Sequence, residues 1–188
     1  AAQLSLYQSH HPLFKRHLDQ MWRTAYASAI GAAWLAHRSS HGEIAEQAFL
    51  AGLLHDVGKL VVLRAIEQLT FERAFDRPLP DSVASEMIEA LHCEFGHELM
   101  QRWNLPEEYC LIGREHHAET FDNGNALLTV VRLVDQVCAK LGIGCTANPA
   151  LIPAASEEAA ALMLSEVQLA DLEITLEDKL GLGVVKAA

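Results

Sequence analysis

Residues 49–63, FLAGLLHDVGKLVVL, are apolar almost throughout, yet they carry an imidazole and a carboxylate side by side at their centre, His55 and Asp56. Burying such a pair costs free energy unless it finds a partner. A divalent metal is one partner, because neighbouring imidazole and carboxylate groups both suit Mn, Fe or Zn. The other is the protein itself: Asp56 bound to a Lys, an Arg or a backbone N–H, with His55 a hydrogen-bonded core histidine. Gly58 permits a close backbone approach or a helix kink. Lys59 serves either as a counter-ion to Asp56 or as a point-charge binder of phosphate.

More polar groups stand in apolar surroundings further on: His92 in ALHCEFGHEL, the adjacent pair His116 and His117, and Asp135 in VVRLVDQVC. Each has a structural reading of its own. His92 fits a core histidine, with Gly96 one turn on leaving room for another helix or an ion. His97 lies five residues from His92, about 140° round a helix, and is expected to face elsewhere. His116 and His117 are about 100° apart by the same arithmetic, so they share a ligand only if both flank one cleft. An unpaired Asp135 inside a helix would be unfavourable, and Arg132, three residues earlier, offers it a partner.

The elements that position these groups read as helices. Pro12 opens a helical pattern that runs to about residue 37, with a stripe of Leu18, Met21, Ala25, Ala29, Ala33 and Ala36 at helical spacing. Its small residues, Gly31 among them, predict close helix packing. Ser39, Ser40 and Gly42 break the pattern. Helices are predicted over about 43–54 and 58–68. Pro78 and Pro80 mark a loop, and Asp81 or Ser82 is expected to cap a helix to about 103. Pro106 restarts a helix to about 119. Asp122, Asn123 and Gly124 form a turn, and 125–141 is a strongly periodic helix. Residues 142–153 are the least structured. Two short helices follow, the second announced by a Ser165/Gln168 capping box. No run alternates with period two, so the chain reads as an all-α, single-domain bundle.

The 188 residues suffice for one core-bearing domain, and 51% hydrophobic with 21% charged residues is a globular balance. A formal net charge of -11 disfavours nucleic acid and anionic membrane surfaces as partners. No apolar run reaches transmembrane length and no signal-peptide pattern opens the chain. Cys93, Cys110, Cys138 and Cys145 show no CxxC spacing. Buried thiols in a reducing cytosol are the expectation.

Taken in order, FLAGLLHDVGKLVVL, HCEFGHELMQRWNLPEEYCLIGREHHAE and VVRLVDQVCAKLG resemble the HD phosphohydrolase superfamily, and more closely its HDOD branch of bacterial signalling proteins. The similarity spans about residues 13–142, with weaker likeness through C-terminal helices at about 154–182. The family's usual N-terminal helices are absent, which suggests a piece of a longer protein. The resemblance implies a bundle of the HD-domain type. It also implies a metal-ligand set of His55, Asp56, His92, His116, His117 and Asp135, holding a divalent ion such as Mn, Fe, Zn or Mg. Asp56 and Lys59 would be the reacting groups if the site hydrolyses.

Two implied positions are degenerate. Thr24 stands where active HD enzymes place a histidine on the first helix, and Gln20 where HD-GYP phosphodiesterases place a glutamate. Thr is a poor ligand beside imidazole and carboxylate. The Gly-Tyr-Pro loop of those phosphodiesterases is missing after the His pair, where the sequence is HHAETFDNGNALL. The resemblance therefore implies a cytoplasmic, non-catalytic signal-transduction module with a degenerate metal site. Its implied partners are other signalling proteins or domains, or a second copy. The alternatives are a metal-dependent phosphohydrolase acting on a nucleotide or cyclic dinucleotide, and a structural domain whose polar groups form an internal hydrogen-bond network.

Overall fold

A computed structural model describes residues 12–75, 79–144 and 147–182. Among them every regular element is helical. Helix α1 spans Pro12–Arg38, α2 Ala45–Leu54, α3 Gly58–Phe71, α4 Asp81–Arg102 and α5 Glu107–Glu115. Then come α6 Ala126–Leu141, α7 Glu157–Ala161 and α8 Glu166–Lys179. The bundle is built on α1, which packs against α2, α3, α6 and α8, while α4 bridges α3 and α5.

Two apolar clusters hold the helices together. The larger joins Ala32 and Leu35 of α1 to Ala48 of α2, Ile112 of α5, Val130 and Val134 of α6, and Leu172 of α8. The smaller joins Phe14, Leu18 and Met21 of α1 to Val62 and Ile66 of α3 and Ile88 of α4. Met21 of the smaller and Ile143 of the larger line the same small cavity as Asp56. The polar residues therefore sit where the two clusters meet.

The local signals explain most boundaries. Asn125 caps α6 by accepting from the Leu128 N–H, and Gly142, in the left-handed conformation at φ 70°, ends it. Ser156 caps α7, and Ser165 with Gln168 forms the expected capping box on α8. Residues 60–63 lie within α3, as their helical surroundings suggest.

Three expectations are corrected. Neither Asp81 nor Ser82 caps α4: Pro80 holds that position without a side-chain bond, and the Asp81 carboxylate instead accepts from Arg16 and His17 of α1. Helix α5 stops at Glu115 and not near residue 119: beyond it the Ala118 N–H turns back to the Glu115 carbonyl, and Arg132 donates to the carbonyls of Glu115, His116 and Ala118. Those bonds also mean that Arg132 is not the partner of Asp135. Its Nε goes to Glu158.

The α3–α4 crossing is unusually tight at Gly58. A Cβ there would meet the His92 carbonyl oxygen at 1.9 Å and the Gly96 nitrogen at 2.5 Å. Backbone cannot yield as a side chain can, so Gly58→Ala is expected to cost about 3 kcal/mol, the upper end of overpacking effects. A Cβ on Gly96 meets its nearest neighbour, the Gly58 nitrogen, at 3.3 Å. There the mild crowding is offset by the helix-propensity gain of about 1 kcal/mol for Gly to Ala, so Gly96→Ala should be nearly neutral. Urea denaturation of the two variants checks the contrast, and equal effects would refute it.

Candidate metal centre

His55 is the C-cap of α2, and Asp56 is the middle residue of the three-residue turn, 55–57, before α3. His92 comes from the middle of α4, His116 is the C-cap of α5, and Asp135 comes from α6. Five segments thus deliver their polar groups to one point. His55, Asp56, His92 and His116 are buried, while His117 is more exposed, with 42% of its side chain accessible.

The imidazoles share one orientation. His55 Nδ1 lies 2.8 Å from the Gly52 carbonyl oxygen, His92 Nδ1 2.9 Å from that of Glu89, and His116 Nδ1 3.0 Å from that of Gly113. A carbonyl can only accept, so each Nδ1 carries the proton and donates it. In the neutral ring this leaves Nε2 as a bare lone pair turned towards the cluster. Ligating histidines are commonly held in this way by outer hydrogen bonds.

These lone pairs converge on Asp56. Its Oδ1 lies 3.4 Å from His92 Nε2 and 3.4 Å from His116 Nε2, and the two nitrogens are 3.3 Å apart. The three atoms of the triangle are acceptors, and a donor beside it, the Cys93 thiol, reaches only His92 Nε2, at 3.4 Å. Neither Asp56 Oδ1 nor His55 Nε2 has a hydrogen-bond partner, although both are buried. Burial draws the His116 imidazole down to about 4 and lowers that of His92, so neither ring supplies a proton at neutral pH. A cation would resolve the conflict. Bonds of about 2.0–2.1 Å to a tetrahedral centre place ligand atoms roughly 3.3 Å apart, which matches the triangle. His117 joins the set, with ligand atoms of Asp56, His92, His116 and His117 all within 4.8 Å of one another.

A second group shares Asp56 but is poorer. His55, Asp56 and Asp135 gather within the same limit and offer a single imidazole. His55 Nε2 is 3.6 Å from Asp56 Oδ2 and 3.8 Å from Asp135 Oδ1, while His117 Nδ1 is 3.9 Å from Asp135 Oδ2. Burial pulls the His55 imidazole down, but the Asp56 and Asp135 carboxylates outweigh it and raise it. Burial pushes the Asp56 carboxyl up, and His55 and Lys59 more than reverse that, holding it well below the usual carboxylate range. Lys59 Nζ lies 2.9 Å from Asp56 Oδ2 and 3.3 Å from Glu89, the geometry of a counter-ion.

Thr24 stands on this poorer side. It lines a cavity of about 10 Å³ with Asp56, Lys59 and Asp135, room for about one water. Its hydroxyl donates to the Gln20 carbonyl of its own helix. A Cβ on Gly144, which has φ 115°, would meet that hydroxyl oxygen at 2.7 Å. Backbone after α6 therefore closes the space in front of Thr24. The Gln20 side chain lines a separate surface groove with Lys15, Arg16, Asp19 and Arg23. His97 stays outside the cluster and faces Glu107.

Sequence reasoning missed two neighbours, Glu89 and Cys93, and mispaired a third, Arg132. Glu89 sits one turn before His92 and was detectable from helical spacing. Cys93 places its Sγ 3.4 Å from His92 Nε2, and burial first, then the Asp56 charge, push its thiol up to about 11. No spacing signal marks it.

An all-helical bundle that gathers a His-Asp dyad with further histidines and a distal Asp is a domain of the HD type. The HDOD domain family model matches residues 2–119, and the chain belongs to that family. An uncharacterised protein of Treponema pallidum (strain Nichols) is 31% identical over 102 residues, 52% of this chain but 20% of that protein. The chain thus spans about a fifth of that relative. Two crystal structures share the fold at 21% identity each. An HDOD domain protein of unknown function from Geobacter sulfurreducens aligns with TM-score 0.67 over 90% of this chain and 64% of its own. A candidate signal transduction protein from Marinobacter aquaeolei VT8 aligns with TM-score 0.64 over 86% and 37%. No described helix is long and apolar enough to cross a membrane.

Proposed function

We propose that this chain is a single HDOD-type domain, with a core of α1 to α6 and α7 and α8 packed on it, and that it works as a non-catalytic signalling module. It holds one divalent ion in the set of Asp56, His92, His116 and His117. The observation that carries the reading is the triangle of Asp56 Oδ1, His92 Nε2 and His116 Nε2, with edges of 3.4, 3.4 and 3.3 Å, in which both rings turn their Nδ1 protons outward to backbone carbonyls. Three imidazoles and one carboxylate suit Zn, Fe or Mn better than Mg, which prefers an oxygen shell.

When bound, such an ion polarises phosphoryl oxygens and acidifies water. The chain's own residues provide little for hydrolysis. Lys59 is committed to Asp56 and Glu89. The cavity that Thr24 shares with Asp56 and Asp135 admits about one water, and the larger one on the other side of Asp56, about 180 Å³, is lined mostly by apolar side chains such as Met21, Leu53 and Leu60. Thr24 offers no imidazole. In this reading the ion clamps α4, α5 and the α2–α3 turn, and its gain or loss alters the surface that partner domains meet.

A second reading, a metal-dependent phosphohydrolase, draws support from the retention of all six other site residues. Assays separate the two. Protein loaded with Mn, Fe or Zn should hydrolyse neither bis(4-nitrophenyl) phosphate nor cyclic dinucleotides above the rate of the free metal. Turnover that disappears in Asp56→Ala would overturn the non-catalytic assignment.

A further inference from the structure

Arg132 of α6 is not a member of the cluster, yet it makes three of its hydrogen bonds to the turn that carries His116 and His117. Nη1 donates to the carbonyls of Glu115 at 3.1 Å, His116 at 2.9 Å and Ala118 at 3.0 Å. Its Nε donates to Glu158 of α7 at 2.8 Å, and its guanidinium lies 4.0 Å from the centre of the Phe121 ring. The Glu158 carboxylate is itself buried, at 4% exposure.

The Glu115 and His116 carbonyls lie at the C-terminal end of α5 and that of Ala118 in the turn beyond it, where outward-facing carbonyls and the helix dipole favour a cation. The guanidinium meets that need with Nη1, whose two hydrogens are shared among the three carbonyls, while Nε in the same rigid plane holds the Glu158 carboxylate. Three carbonyls and a carboxylate can all be held only while the turn keeps one shape. The same turn sets both imidazoles, whose ring centres are 4.2 Å apart. His116 is therefore fixed twice. Its ring is held by Nδ1 on the Ile112 and Gly113 carbonyls, and its backbone is held by Arg132.

We infer that Arg132 is a positioning residue for the His116 and His117 ligands and that Glu158 couples them to α7. The inference rests on the proposed metal site. The family match ends at residue 119, so the clamp comes from chain beyond it. A displacement of α7 would reach the imidazoles through one side chain, giving the C-terminal helices a route to change metal affinity.

The test uses the double change Arg132→Met with Glu158→Met, which removes both charges and leaves no buried carboxylate unpaired. The control is Lys140→Met with Glu173→Met, which removes a comparable 2.7 Å ion pair between α6 and α8. Ring-nitrogen NMR of the metal-free proteins comes first. In the wild type and the control, His116 should show one tautomer, protonated at Nδ1. In the Arg132 double variant its signals should shift and a second tautomer should appear. Zinc affinity, measured by chelator competition, should fall about 10- to 100-fold in that variant, as for other residues that orient ligands. The control should stay within about twofold of wild type by the same criterion. Wild-type ring spectra and zinc affinity in the Arg132 variant, with stability lost equally in both variants, would overturn the inference. If the wild type takes up no zinc, the metal site falls, and the ring spectra alone decide the positioning role. Should the double variant fail to fold, Arg132→Leu with Glu158→Gln removes the guanidinium and leaves a neutral amide in place of the buried carboxylate. Unchanged His116 signals in it would equally refute the assignment.

Discussion

Asp56→Asn should abolish stoichiometric metal uptake and destabilise the metal-free protein by about 3–5 kcal/mol, the cost of breaking a buried charge pair. Both effects follow from the two faces of one carboxylate. Oδ1 closes the triangle with His92 and His116, and an amide there supplies a weaker ligand or turns a donor towards the ion. Oδ2 neutralises Lys59 at 2.9 Å. In the variant, the buried ammonium keeps only Glu89, at 3.3 Å. Burial opposes a charged Lys59, and the Asp56 carboxylate is the first of the groups that raise its basicity. Zinc titration and urea denaturation of the metal-free protein measure the two losses. A variant within about 1 kcal/mol of wild type would show that Lys59 does not depend on this carboxylate.

The second large effect is on acid stability. The metal-free protein should lose about 3 kcal/mol from His116 alone as the pH falls from about 6.5 to about 4. His116 is depressed by burial to about 4 in the folded state, against 6.5 for an ordinary histidine. Between those values the unfolded chain takes up a proton that the folded chain does not. Stability is therefore fully present above about 6.5 and drains away as pH drops towards about 4. His92, also lowered by burial, acts in the same direction. His55 acts oppositely, because its raised pKa stabilises the fold at lower pH and that contribution is lost as pH rises through the folded value. The depressed Asp56 stabilises the fold above its ordinary 3.8 and loses that contribution only below this window. Urea denaturation at pH 7, 6, 5 and 4.5 of the wild type and His116→Asn isolates the contribution. The wild type should decline more steeply, by up to about 1.4 kcal/mol per pH unit. Parallel declines would contradict a buried, neutral His116.

The helical class and most helix positions were legible because periodicity and caps are local. Asn125, Ser156 and Ser165 each satisfy an N–H within three residues of themselves, and such bonds leave a mark in the sequence. Asp81 did not cap because a longer-range contact with Arg16 and His17 claimed it. The end of α5 carries no such local mark, since the side chain that binds its last carbonyls is Arg132, 17 residues after Glu115. Within the candidate site, His55, Asp56, His92, His116, His117 and Asp135 were all visible as polar residues against apolar runs. Their division was not. That His92, His116 and His117 share Asp56 on one side, with His55 and Asp135 on the other, depends on ring orientation and on which carboxylate oxygen faces which helix. The closure in front of Thr24 likewise arises from the backbone at Gly144, 120 residues away in sequence.

Anomalous diffraction from crystals grown with one equivalent of zinc, recorded on both sides of the zinc absorption edge, tests the metal assignment most directly. The predicted result is a single peak bonded to Asp56, His92 and His116, with His117 alongside. Refined density there with no anomalous peak, or a peak on the His55 and Asp135 side instead, would contradict it.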